Sequence, residues 1–411
     1  MKLLPMADAA PQDKSKPCCD AGAATCRPAA ACDCSPATTA ASTCGNDEVP
    51  CCGARPGPRA SAYERPGYAI RPYVDGFVPT PAGPVPRVRT ALCPSDRLGT
   101  LGARIGCTRD DYRVAPGLYC LGNPTPDSPV IVTANYKLTF DTVRTALPGT
   151  DAWLLVLDTR GVNVWCAASK GTFGTGELAS RVQQTRLDTV VRHRTLIVPQ
   201  LGATGVAARA VKKACGFTVA WGPVRAADLP RFLANGHHAD AAMRTVTFTL
   251  RERLALVPVE LYLARKLALW LFLAAAILSA ISPAPFSHET LRRCILLTTA
   301  GLGGLLAGNF AVPALLPWLP GRMFALKGAV IGLALGLVIA LLPSSAATGL
   351  ENLALPLVAA AAASYCGMNF TGSTPFTSPT GVEKEMRRWM PIQALAVLAA
   401  AILWAWAPFA A

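Results

Sequence analysis

The chain has 411 residues, enough for two or three domains, and 52% of them are hydrophobic, with the apolar weight concentrated after residue 260. Its net charge of +14 does not point to nucleic acid: the basic residues are scattered arginines in the first part and clusters beside apolar runs in the last, a pattern of membrane anchoring.

Eight of the fifteen cysteines (Cys18, Cys19, Cys26, Cys32, Cys34, Cys44, Cys51 and Cys52) fall in the first 52 residues. Residues 1–50 contain no long apolar stretch of a secretory signal, so the expected compartment is reducing, with thiols free or metal-bound. Residues 1–85, rich in Ala, Pro, Gly, Ser and Cys, read as a disordered tail. The pairs Cys18-Cys19 and Cys51-Cys52 suit soft metals, whereas the absence of Cys-x-x-Cys argues against a zinc ribbon.

From Val130 short apolar runs alternate with helical patterns. Strands are expected at Val130–Val132, Ala152–Leu157, Leu196–Val198 and Phe217–Trp221, with helices at Tyr136–Leu147, Thr175–Arg186, Val206–Ala214 and Asp228–Ala234. That alternation predicts a parallel sheet covered on both faces, which binds ligands at the carboxyl ends of its strands. Thr133-Ala134-Asn135, Asp158 to Gly161, Pro199-Gln200-Leu201 and Gly222 to Arg225 fall at those ends. Among the histidines, His193, His237, His238 and His288, none stands in an Asp-x-His-x-x-Gly pattern.

Between the second strand and the next helix lies Asn163-Val164-Trp165-Cys166-Ala167-Ala168-Ser169-Lys170-Gly171-Thr172-Phe173-Gly174-Thr175. Asn163 is placed to cap a short helix that Gly171 stops. Cys166, in its first turn, faces orphan N–H groups and the positive dipole end, which favours it as a metal ligand. Read from spacing alone, Cys166 is equally a small buried thiol in a connection.

After Glu260, apolar runs at Leu267–Ile281, Cys294–Leu319, Gly328–Leu342, Leu353–Met368 and Pro391–Ala411 predict five spans, some short against the roughly 20 residues a bilayer requires. These runs hold no Asp, Glu, Lys, Arg or His, which argues against a transporter. Gly304-x-x-x-Gly308 and the row Gly328, Gly332, Gly336 predict close helix approach. Arg265, Lys266, Arg322, Lys327, Lys384, Arg387 and Arg388 on one side, against Arg292 and Arg293 on the other, place the first domain on the cytoplasmic side of the inner membrane. The hydroxyl-rich stretch Asn369–Met386 reads as a cytosolic loop that either helps seat the domain or simply connects two spans.

Asn163 to Lys170 resembles the cap-helix signature of the corrinoid protein of the bacterial mercury-methylation pair, distantly similar to the corrinoid iron-sulfur protein of the acetyl-CoA pathway. Ser169 stands where that family usually has Gly. The resemblance covers roughly residues 113–411 and extends through Gly171 to Thr175 and the 369–386 stretch. It implies an α/β, Rossmann-like corrinoid-binding domain at 86–255, a transmembrane domain of five helices at 260–411, and a corrinoid such as cobalamin. Cys166 would then be the lower axial ligand of cobalt and the catalytic residue. The implied cofactor contacts are Asn135, Thr159, Gly161, Asn163, Val164, Trp165, Cys166, Ala167, Lys170, Gly171, Thr172, Gln200, Leu201 and Gly222. It further implies transfer of a methyl group to Hg(II), a small two-cluster [4Fe-4S] ferredoxin as electron donor, and a methyl donor derived from methyl-tetrahydrofolate. Two other readings stand beside it: a membrane-bound corrinoid carrier of one-carbon metabolism with another acceptor, and a non-catalytic, thiol-rich metal-handling membrane protein.

Overall fold

The computed structural model describes residues 57–61, 63–342, 347, 349–374 and 379–410. The cysteine-rich stretch to Cys52 lies outside the described residues.

Seven strands form one mixed sheet: β1 (Val74–Val78), β2 (Val85–Val88), β3 (Gly117–Leu121), β4 (Val130–Ala134), β5 (Ala152–Leu157), β6 (Thr195–Val198) and β7 (Thr218–Trp221), in the order β1-β2-β3-β5-β4-β6-β7. The four expected strands are present and mutually parallel, with Ala134 paired to Leu157 and Val198 to Trp221, so their carboxyl ends share one rim. Two expectations are corrected. The sheet is not wholly parallel, because β3 runs antiparallel to β5 and β1 antiparallel to β2. Nor does the tail reach residue 85, because β1 and the first residue of β2 lie before that boundary. The reason lies in β3: all five of its residues are buried, so they show no alternation, and only pairing to β5 defines the strand.

Along β4 and β5 alternate residues face opposite cores. Val130, Val132, Trp153 and Leu155 pack under α4 (Thr175–Gln184) and α6 (Ala208–Cys215) through Leu178, Val182 and Val211. Ile131, Leu154 and Val156 pack under α2 (Lys137–Thr145) and α7 (Leu229–Ala234) through Phe140, Val143 and Phe232. The remaining helices of this part are α1 (Pro94–Ile105), α3 (Val164–Ser169) and α5 (Leu187–Val190).

A buried four-charge cluster fastens α1 to α2. Lys137 Nζ lies 2.7 Å from Asp96 Oδ1 and 2.7 Å from Asp141 Oδ2, and Arg144 lies 2.6 Å from Asp96 Oδ2 and 2.8 Å from Asp141 Oδ1. Each carboxylate meets both cations, so the desolvation of four charges is offset within the cluster. The Lys137 ammonium also sits 4.8 Å from the Tyr73 ring centroid.

Beyond Thr249 the chain is helical: α8 (Leu250–Leu254), α9 (Val257–Ala280), α10 (His288–Leu306), a π-helical turn Ala307–Ala311, α11 (Val312–Leu315), α12 (Phe324–Leu341), α13 (Gly349–Phe370) and α14 (Pro379–Trp406). Five helical stretches, Leu250–Ala280, His288–Leu315, Phe324–Leu341, Gly349–Phe370 and Thr380–Phe409, are long and apolar enough to cross a membrane. The glycine rows do what their spacing predicts. A Cβ would lie 2.2 Å from Ala363 O at Gly328, 2.3 Å from Ala359 O at Gly332, and 2.6 Å from Ala359 O at Gly304, so α13 is clasped between α10 and α12.

Two expectations about charge change here. Arg293, read as an exposed flank charge, is buried among the helix ends: its Nε is 2.7 Å from Glu351 Oε1, and it donates to the Trp404 carbonyl. The helices outrun the apolar runs and so carry charged side chains into the bundle, as with Lys327, held on the carbonyls of Leu316 and Leu319. The stretch from Asn369 is also mostly helical and not a loop: Asn369 and Phe370 end α13, and residues from Pro379 begin α14, while 375–378 lie outside the described residues.

Removing one partner of the four-charge cluster strands another in the core. Arg144→Leu is expected to destabilise the α/β domain by about 3–5 kcal/mol, measured by thermal unfolding. Burial pushes the Asp96 carboxyl up, but hydrogen bonds from Lys137 and from Cys93 outweigh it and hold the group well below the usual carboxylate range. Its contribution is therefore complete above about pH 4 and is lost as pH falls further. Acid unfolding of Asp96→Asn should show a shallower slope below that pH than the native chain; equal slopes would remove Asp96 from the account.

Candidate functional site

The rim at the carboxyl ends of β4 and β5 is built around one side chain. Asn135 is fully buried, and its Oδ1 accepts from Thr159 N (3.1 Å) and Gly161 N (3.0 Å), while its Nδ2 donates to Asp158 Oδ1 (3.1 Å). The Thr159 hydroxyl lies 2.9 Å from Asn135 Oδ1 and 2.6 Å from the Val162 carbonyl. These bonds hold a tight turn in which Arg160 (φ 56°) and Gly161 (φ 76°) are both left-handed. The turn delivers Asn163 in extended conformation (φ −64°, ψ 162°), and Asn163 Oδ1 accepts from Cys166 N at 2.9 Å, starting α3.

Helix α3 ends one turn and a half later. Gly171 takes φ 74°, and the Ala167 carbonyl accepts from Thr172 N (2.9 Å) and Phe173 N (3.1 Å). The loop after β6 closes over this end. A Cβ at Gly205 would lie 2.2 Å from the Phe173 carbonyl oxygen, and one at Gly202 would lie 2.5 Å from the Phe173 ring. Both are close approaches of backbone that only glycine allows. Val164, Ala167 and Ala168 point into the core, so Trp165 and Cys166 are left half-buried at the rim.

Beside the first turn of α3 is a cavity of about 330 Å³. Asn163, Val164 and Trp165 form one wall, and Leu201, Gly222 and Pro223 form another. Thr133, at the end of β4, also lines it; its Oγ1 is buried and has no hydrogen-bond partner among the described residues. A buried hydroxyl without a partner is unfavourable in an empty apolar space and suits a polar ligand atom.

The structure thus brings together five of the expected contacts, Asn163, Val164, Trp165, Leu201 and Gly222, around one cavity. Cys166 is on the same helix but does not line that cavity; it packs from the rim against the core. Asn135, Thr159 and Gly161 belong to the buried bonding that positions the helix. Ala167 is in the core, Lys170 and Gly171 close the helix, and Thr172 bonds back to it. Gln200 Oε1 accepts from Arg244 at 2.6 Å. Sequence reading placed Thr133 in a rim loop without giving it a role and missed Gly202 and Gly205, whose only signal is the spacing of glycines after a strand.

Among the described residues no group of three or more His, Cys, Asp or Glu side chains is arranged to hold a metal ion. Three of the four histidines are engaged elsewhere: His193 Nε2 lies 2.9 Å from the Ser128 carbonyl, His237 stacks on Phe232, and His238 lies 3.1 Å from the Gly236 carbonyl. Cys120 is sealed inside β3, and burial pushes its thiol up to about 12.

Residues 107–233, which contain α3 and the whole rim, match the family model of the CO dehydrogenase/acetyl-CoA synthase delta subunit. The chain is also similar to gamma subunits of the acetyl-CoA decarbonylase/synthase complex. It is 38% identical over 128 residues to that of Methanopyrus kandleri (30% of this chain, 27% of the relative) and 36% identical over 121 residues to that of Archaeoglobus fulgidus (28% and 25%). With the subunit of Methanothermobacter thermautotrophicus the identity is 34% over 127 residues (30% and 27%). The chain spans about a quarter of the length of these curated relatives.

Two substitutions test how α3 is held. Asn163→Ala removes the cap and should cost about 1 kcal/mol in thermal unfolding. Gly205→Ala forces backbone apart and should cost more, about 1–3 kcal/mol. A neutral Gly205→Ala would show that the loop does not clamp the helix.

Proposed function

We propose that this chain is a membrane-attached corrinoid protein that carries and transfers a methyl group, with Cys166 as the lower ligand of cobalt. The observation that carries this reading is the half-buried thiol on a capped helix at the rim of the parallel strands, inside the segment similar to acetyl-CoA decarbonylase/synthase subunits. The donor set fits such a group. One soft sulfur is offered, no histidine lines the adjoining cavity, and Thr133, whose buried hydroxyl has no partner among the described residues, does line it.

When bound, the corrinoid supplies a methyl group on cobalt that can pass to an acceptor. The protein's part follows from its own atoms. Cys166 would hold the metal through its sulfur, a soft donor that would supply it with electron density. Asn163 fixes the helix that aims it, and the bonds from Asn135 fix Asn163 in turn. Trp165 and Val164 present an apolar wall, with Thr133 available to a polar side arm. Asn135, Thr159, Gly161 and Gly205 act as positioning residues.

The comparisons favour a carrier of one-carbon metabolism. The signature Asn163 to Lys170 favours Hg(II) as acceptor, because a thiolate below cobalt eases departure of the methyl group as a carbanion equivalent, the form a thiophilic cation accepts. Five helices of membrane-crossing length follow the domain, which a freely diffusing carrier does not require. The reading includes a reduced two-cluster ferredoxin and a methyl-tetrahydrofolate-derived donor as partners, and a domain facing the cytoplasm.

A single-turnover experiment decides. The full chain is loaded with methylcobalamin, Hg(II) is added, and methylmercury is quantified beside Cys166→Ala. Transfer that falls more than about a hundredfold in the variant, together with an altered visible spectrum of the bound corrinoid, supports both ligand and acceptor. Corrinoid binding with no methylmercury above the control leaves the carrier reading with another acceptor. Native spectrum and rate in Cys166→Ala would overturn the ligand role.

A further inference from the structure

A second cavity, of about 620 Å³, shares no lining residue with the one beside α3. Its floor is α4, through Glu177, Ser180, Arg181 and Gln184, and part of its wall is formed by residues 59–61 and 64–66, in a strap that begins at Gly57. The strap is tied down at several points. Gly57 N donates to the Arg160 carbonyl (3.0 Å), Ala60 N to Asp158 Oδ2 (2.8 Å), and Arg113 Nη1 to the Pro58 carbonyl (3.0 Å). Arg113 also pairs with Glu64 at 3.1 Å.

Three carboxylates and three arginines line this cavity, but among the described residues only the carboxylates and Arg181 are engaged. Every acidic side chain of its wall is already engaged. Glu64 pairs with Arg113, which does not line the cavity, and Glu177 pairs with Arg181 at 2.7 Å while accepting from Asp158 N. Asp158 accepts from Ala60 N, Arg160 N and the Asn135 amide. Arg59 and Arg65 line the same cavity, and neither has an ion-pair partner among the described residues. Arg65 also borders an adjoining cavity of about 330 Å³ that holds Arg71. A concave polar space of this size suits a small molecule, and two guanidinium forks suit planar or tetrahedral oxyanions.

We propose that this cavity is a second ligand site, for a small molecule carrying two or more carboxylate or phosphate groups held by Arg59 and Arg65. The site is separate from the corrinoid reading and does not rest on it. Asp158, of the turn that delivers α3, lines it, and the strap beside it is bonded to that turn through Gly57 and Ala60.

The test uses the full chain in detergent and isothermal titration with two probes, pyrophosphate and tricarballylate, with matched potassium chloride as the ionic-strength control. Saturable one-to-one binding of either probe is expected, and the better binder identifies the phosphate or the carboxylate source. Arg59→Ala and Arg65→Ala should each weaken it about tenfold, and Arg65→Lys should weaken it less than Arg65→Ala. Unchanged thermal unfolding in these variants confines the effect to the cavity. Absence of saturable binding to both probes, or binding that neither alanine variant weakens, overturns the proposal.

Discussion

The buried amide of Asn135 is the point from which the candidate site is built. It sits at the end of β4 and takes hydrogen bonds from the first residues after β5, so two neighbouring strands end in one fixed turn. A turn with two successive left-handed residues is unfavourable in an isolated peptide. Three bonds in a water-free environment hold it here, because breaking any of them would strand a buried polar group. The position of Asn163, and through it that of Cys166, is a consequence.

The same logic runs through the loops around α3. A six-residue helix has too few internal bonds to persist alone. It is kept by a side-chain cap at one end and by backbone contact at the other, where Gly202 and Gly205 let the next loop approach the Phe173 segment. A thiol offered to a metal at the edge of a sheet must be held still without being buried. A short helix pinned at both ends, with one side in the core and the other at the rim, achieves this.

The helical part solves a different problem by the same means. Glycines on α10 and α12 bring their backbones against α13, and polar side chains inside meet across helices, as Arg293 does Glu351 and Gln393 does Ser364 (2.8 Å). In an apolar surround such groups remain only with partners. The charges therefore mark where helices are locked together and are no evidence of a path for ions.

The sequence by itself determined the four parallel strands, the helices between them, the cap at Asn163, the five apolar helices and their glycine contacts, because each is written in local periodicity or in a residue with a restricted use. It did not determine β1 and β3, whose assignment depends on pairing with distant strands, nor the buried Arg293 pair, whose partner lies 58 residues away. Nor could it separate, among the residues at the strand ends, those that face a cavity from those that hold the turn: Thr133 and Asn135 stand two apart in one strand end, and only packing leaves one hydroxyl unpartnered and engages the other residue's amide. Local patterns record what a residue does to its neighbours in the chain. Which groups end up without a partner is decided when remote segments meet and exclude water, and only the tertiary structure decides that.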